Sequence, residues 1–210
     1  MPVIIQRDNV TLSQKVMLRQ TALAALRGAT PVICETHGGR GDVYAALYGN
    51  VAEGVVFEKD PDKAVILAEQ RPTWSVYEAD VEIALRAGAG RHLAFNYLDV
   101  DPYGSSWETL DAFFASKRPA AERMVVVVND GLRLRAGGGR AWQTERLEQF
   151  VRRYGNHVVW RDYPTRICRE LMGQAAALGG YEVRHFDSYT AGSIGKMVHM
   201  LAILVRATTA

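Results

Sequence analysis

Seven short apolar runs recur along this chain, and stretches with helical periodicity separate the first five of them. That alternation constrains the fold most, because parallel strands need a long crossover between them and a helix is the usual one. Predicted strands cover Pro31 to Glu35, Gly54 to Glu58, Thr73 to Tyr77, Leu93 to Asp99 and Met124 to Val128. The run Met124-Val-Val-Val-Val128 shows no polar alternation, which predicts a strand buried on both faces. Between them lie predicted helices. The first begins at the capping-box pattern Thr11-Leu-Ser-Gln14 and ends at Gly28. Others cover Asp42 to about Tyr48, a stretch opening at Asp60-Pro61, Val81 to Ala87, and Ser106 to Ser116.

The rhythm changes after Gly137-Gly-Gly139, a loop by composition. Helices are predicted near Thr144 to Tyr154 and Pro164 to Leu178, then strands at Tyr181 to Phe186 and Met197 to Val205, joined by about ten residues. Two strands so joined pair antiparallel at a sheet edge. The expected architecture is α/β: a mostly parallel seven-stranded sheet, an antiparallel edge strand, and helices on both faces. With 210 residues and 48% hydrophobic content, a single domain spanning 1–210 is expected.

No apolar run reaches the roughly 20 residues that span a bilayer, and the start lacks the order of a secretory signal, so a soluble cytoplasmic protein without membrane contact is expected. Cys34 falls in a predicted strand and Cys168 in a predicted helix, which favours two reduced core thiols. The five histidines are too scattered for a closed metal site, and no metal is expected.

Asp101-Pro-Tyr-Gly104 closes the strand that begins at Leu93. A carboxylate, a rigid proline and an aromatic ring at the carboxyl edge of an α/β sheet suit a flat ligand bearing an amino group. On the preceding side, Glu35-x-His37-x-Gly39-x-Gly41 follows the first strand and Glu58 ends the second. Such glycines let a backbone approach a ligand, and an acid at the next strand end can accept from a ribose diol. The third glycine falls in the wrong place for a dinucleotide fingerprint, and Asp42 opposes a pyrophosphate, so a nucleoside cofactor without phosphate is favoured. Asp80 can meet an adenine amino group, cap the next helix, or do both. Gly192-Ser-Ile-Gly-Lys196 lacks the spacing of a phosphate-binding loop.

In order and position these pieces resemble a class I S-adenosylmethionine-dependent methyltransferase, a Rossmann-like fold. Leu98-Asp-Val-Asp-Pro-Tyr-Gly-Ser105 further resembles the signature of the tRNA guanine-26 N2-dimethyltransferases, of which the chain would be at most the catalytic half. His37 stands where that family usually has glycine. The resemblance implies an amino-terminal helix in 1–28, a cofactor and catalytic half in 29–130, and a substrate side in 131–210. S-adenosylmethionine would lie on Glu35, His37, Gly39, Gly41, Glu58, Asp80 and Asp99, with Asp101, Pro102, Tyr103 and Gly104 catalytic. Asp99 reads equally as buried support, and Trp107 either lines the substrate pocket beside Tyr103 or belongs to the core.

Residues 117 to 169 carry 12 Lys and Arg against 5 Asp and Glu. That surplus fits a polyanion, with Arg133, Arg135 and Arg140 as candidate phosphate contacts. The expected function is therefore methyl transfer to an exocyclic amine of a base in RNA, or less favoured in DNA, with a homodimer or a separate recognition subunit. A non-catalytic binding subunit and a small-molecule or protein N-methyltransferase are the alternatives.

Overall fold

In the computed structural model, which describes residues 11–132, 142, 144–192 and 197–208, seven strands form one sheet. They are β1 (Val32–Glu35), β2 (Glu53–Glu58), β3 (Ser75–Glu78), β4 (Tyr97–Val100), β5 (Arg123–Asp130), β6 (Tyr181–Ala191) and β7 (Met197–Arg206). Their order is β3-β2-β1-β4-β5-β7-β6. β1 pairs in parallel with β2 and β4, as do β2 with β3 and β4 with β5, while β7 runs antiparallel to both β5 and β6. The late pair is antiparallel at the edge, as expected; β7 is the reversed strand, and β6 lies outermost.

Helices α1 (Leu12–Ala24), α2 (Pro61–Gln70), α3 (Val81–Arg86), α4 (Trp107–Ala115), α5 (Glu145–Tyr154), α6 (Asn156–Asp162) and α7 (Cys168–Leu178) cover the sheet, with short π-helical segments at Tyr44–Tyr48 and Tyr163–Ile167. The period-2 rule explains the uniform valine run of β5. Val126 and Val128 enter a core with Leu110, Phe113, Leu171 and Met172, whereas Val125 and Val127 enter the opposite one with Leu18, Ala22, Tyr48 and Leu67. Every residue of that run must be apolar, because the core under α4 and α7 lies on one face and α1 packs on the other.

The turn chemistry of α2 follows its sequence: Pro61 opens it and the Asp60 carboxylate accepts from Asp62 and Lys63 N–H at 3.1 and 3.4 Å. Two expectations are corrected. Thr11 makes no side-chain capping bond to α1, and Gln14 does not reach back, its Oε1 being buried without a partner. β6 extends to Ala191, five residues past its expected end. An outer strand half open to solvent needs no apolar alternation, so only its ladder with β7 defines its length.

Cys34 and Cys168 are buried and unbridged. Among the described residues, no helix is long and apolar enough to cross a membrane.

Candidate functional site

The strand order reverses between β1 and β4, and the acids expected to act fall at that switch point. Glu35 and Asp99 are register partners across β1 and β4. The loop after β1 is tied to β4, since Thr36 donates to the Asp99 carbonyl through its N–H at 2.9 Å and its hydroxyl at 3.1 Å.

Each acid has acquired a partner that sequence spacing did not reveal. Asp99, 1% exposed, receives the Arg19 guanidinium at 2.6 and 2.5 Å and the Tyr48 hydroxyl at 2.8 Å. Asp101 receives Lys15 Nζ on both oxygens, at 2.9 and 2.7 Å. Burial alone would raise the Asp101 pKa, yet Lys15 and Arg19 hold it below the usual carboxylate value. Glu35 is buried against Arg71 Nη1 at 2.6 Å, and Arg71 also lies 4.3 Å over the Tyr44 ring. Burial outweighs that guanidinium and pushes Glu35 up to about 7. Lys15 and Arg19, one helical turn apart on α1, carried the signal for the first two pairs: cations on a face that also bears Leu18 and Ala22.

Glu58 stays half-buried at the end of β2, accepting from Gly39 N–H at 2.9 Å and Asp60 N–H at 3.0 Å. A carboxylate offers about four acceptor positions, so two remain for a ligand. Gly41 serves the turn: its φ is +82° and a Cβ there would lie 2.1 Å from Gln70 Oε1. Gly39 is left-handed too, at φ +56°, but a Cβ there would meet nothing within 4 Å. His37 contacts the Thr36 hydroxyl at 2.8 Å, and burial lowers its pKa. Asp80 is exposed and caps α3, accepting from Glu82 and Ile83 N–H at 3.1 and 3.2 Å.

After β4, Gly104 has φ +141°, a conformation that favours glycine, and its carbonyl accepts from Gly131 N–H at 2.9 Å. Tyr103 is 80% exposed. Of the two places expected for it, Trp107 takes the core: it is 1% exposed and donates to the Tyr163 hydroxyl at 2.9 Å. Glu35 and Asp99 are likewise buried in ion pairs, with Arg71 and Arg19. Asp130 is also buried, accepting from Tyr163, Ser106 and Leu132, and burial pushes it up to about 6.

Arg133, Arg135 and Arg140 lie outside the described residues. Part of the surrounding basic surplus is internally compensated: Arg146 pairs with Asp111, and Arg161 and Arg166 with Asp162. A recess of about 910 Å³ lies between α7 and β6, lined by Arg166, Arg169, Phe186 and Asp187, and touches none of the switch-point acids.

His199 of β7 and Asn129 of β5 are register partners, both 0% exposed. Neither Asn129 amide atom reaches hydrogen-bond geometry, yet Asp101 lies close enough for the amide to help hold it ionised. Burial lowers His199 from 6.5 to about 4. Between those values the unfolded chain binds a proton that the folded chain refuses, so stability falls as pH falls through that window. Urea unfolding should show the wild type losing of order 2 kcal/mol more than His199→Gln between about pH 7 and 4. Equal losses would place the acid sensitivity elsewhere.

No family model and no curated protein matches the sequence. Solved structures share its fold. A protein from Streptococcus thermophilus described as a hemolysin is similar with a TM-score of 0.61 and 13% identity, over 93% of this chain and 67% of that one. Magnesium protoporphyrin IX methyltransferase from Synechocystis PCC 6803, with SAH bound, gives 0.57 and 10%, over 99% and 89%. A Pyrococcus horikoshii protein described as an RNA methyltransferase gives 0.52 and 12%, over 100% and 90%. At these identities the likeness establishes the fold alone, a Rossmann-like one that the two methyltransferase neighbours share.

Proposed function

We propose that this chain is an S-adenosylmethionine-dependent N-methyltransferase acting on an exocyclic amine of a nucleic-acid base, RNA before DNA. The observation that carries the reading is an ionised Asp101, followed by Pro102 and the exposed Tyr103, at the carboxyl end of β4 beside the switch point. The Synechocystis neighbour with bound SAH and the RNA methyltransferase description of the Pyrococcus neighbour support it.

The chain fits the cofactor on one side of the switch point. Glu58 would hold a ribose diol with its remaining acceptor positions, and the backbone at Gly39 would let the ligand come close. Bound there, S-adenosylmethionine supplies a methyl group activated by its sulfonium. The chain's part is placement. Asp101 accepts a hydrogen from the acceptor amine and stabilises the positive charge that grows on nitrogen as the C–N bond forms. The proton that the methylated amine gives up goes to solvent. Tyr103 offers a ring on which an unstacked base can lie. In the same reading the protein is cytoplasmic and works as a homodimer or with a recognition subunit.

One observation favours a second reading. Glu35, Asp99 and Asp101 all sit in ion pairs, as suits a binding subunit that retains the fold without catalysis. Calorimetric titration with S-adenosylmethionine, followed by methyl-labelling of separate tRNA, rRNA, DNA and protein pools, decides between them. Label in RNA is the expected result. No cofactor binding would support the binding subunit, and label confined to protein would overturn the nucleic-acid acceptor.

A further inference from the structure

The first turn of α1 is poorly secured as a helix. Thr11 gives it no capping bond, no acid stands there, and the cationic Lys15 opposes the helix dipole. Yet Lys15 is only 8% exposed, because it turns inward onto Asp101. One turn further on, Arg19 is anchored to Asp99 with both side chains almost wholly buried.

Beneath that turn lie polar atoms with no partner among the described residues: Oε1 of Gln14, Oδ1 of Asn129, whose amide nitrogen is turned to Asp101, and Nε2 of His199. Lys15 bonds to Asp101, the Asn129 amide is turned to Asp101, Asn129 and His199 are register partners, and the charges of Asp101, Lys15 and Arg19 act on His199, so the groups form one cluster. The tautomer of His199 follows from its neighbours. The Tyr189 hydroxyl donates to the Gln14 carbonyl at 3.3 Å, so at 3.1 Å it accepts from His199 Nδ1, leaving Nε2 as an acceptor. A buried polar atom left unpartnered has lost its water and gained nothing in return. A permanently closed cover would gain nothing for that cost, whereas a ligand could pair with them.

We propose that Lys15 is a built-in occupant of an acceptor pocket, and that the first turn of α1 lifts to admit a flat amino-bearing heterocycle held by Asp101, Asn129 and His199. The inference rests on the reading of Asp101 as the amine acceptor. The Lys15 ammonium stands where the ligand's amine binds. Arg19 on Asp99 is the hinge. Opening requires the part-buried Lys15 pair, the Arg19 contact to the Lys15 carbonyl, the Tyr189 contact, the packing of Leu12 and one helical turn to give way, as helix ends do.

Hydrogen exchange on the full chain tests this, with wild type, Lys15→Met and Lys15→Arg, each alone and with guanosine, adenosine or cytidine as the probe. The amides of Lys15 to Leu18 should exchange about fivefold faster in Lys15→Met, since a part-buried ion pair is lost, while those of β4 and β5 keep their rates. At least one nucleoside should speed the same amides in the wild type. It should bind about fivefold more tightly to Lys15→Met, because a larger fraction of that chain is already open. Lys15→Arg, which keeps the charge, should behave as the wild type. Unchanged exchange in Lys15→Met, a nucleoside that binds without affecting α1, or no nucleoside binding at all would overturn the proposal. A chain that opens α1 for a nucleoside but transfers no methyl keeps this inference and loses the catalytic one; methyl transfer with α1 shut does the reverse.

Discussion

An Asp101→Asn variant is expected to lose methyl transfer by about 10²- to 10³-fold, the usual cost of removing one preorganised charge from a transition state. Its affinity for S-adenosylmethionine should stay within about threefold, because the cofactor side rests on Glu58 and Gly39 and the loss concerns the acceptor amine. Asn keeps the shape of the side chain but leaves Lys15 without an anionic partner, so α1 should also loosen. That pairing of effects separates it from Lys15→Met, which should loosen the same turn and make the acceptor easier to bind. Single-turnover rates with labelled cofactor measure the first effect and titration calorimetry the second. Undiminished turnover would remove Asp101 from the reaction.

Breaking the deeper pair should damage the fold itself. Arg19→Met leaves the Asp99 side chain almost fully buried with, among the described residues, only the Tyr48 hydroxyl, which should cost about 3 to 5 kcal/mol of unfolding free energy. That is a large share of the roughly 5 to 15 kcal/mol that holds a domain together. The double variant Arg19→Met with Asp99→Asn removes both charges and should recover much of the loss, which urea unfolding in a double-mutant cycle would measure. Additive losses in the double variant would mean that the two residues stabilise the protein independently. A small effect from Arg19→Met alone would mean that Asp99 is not held as a buried anion.

Much of the architecture was legible because it depends on local patterns. β5 declared itself buried through four consecutive valines, and both its cores now account for them. Asp60-Pro61 announced the start of α2, and the bond geometry there is that of a capped helix. The capping box at Thr11 was equally plausible and did not form. The backbone carbonyl of Gln14 instead accepts from the Tyr189 hydroxyl, 175 residues away in sequence. Trp107 could not be assigned between core and pocket until Tyr163 was seen to take its indole N–H.

By itself, the sequence determined the alternation of strands and helices, the two buried faces of the central strands, and the placing of acids at strand ends, because these follow from period, turn chemistry and chain order. Only the tertiary structure decided what those acids do. Whether a carboxylate faces a ligand or an ion pair depends on side chains arriving from elsewhere: Lys15 lies 86 residues from Asp101, Arg19 lies 80 from Asp99, and Arg71 lies 36 from Glu35. Burial makes an unpaired charge too costly to keep, so the sheet's inner acids drew cations from α1 and from the end of α2. The acid left half-exposed, Glu58, retains acceptor capacity for a ligand.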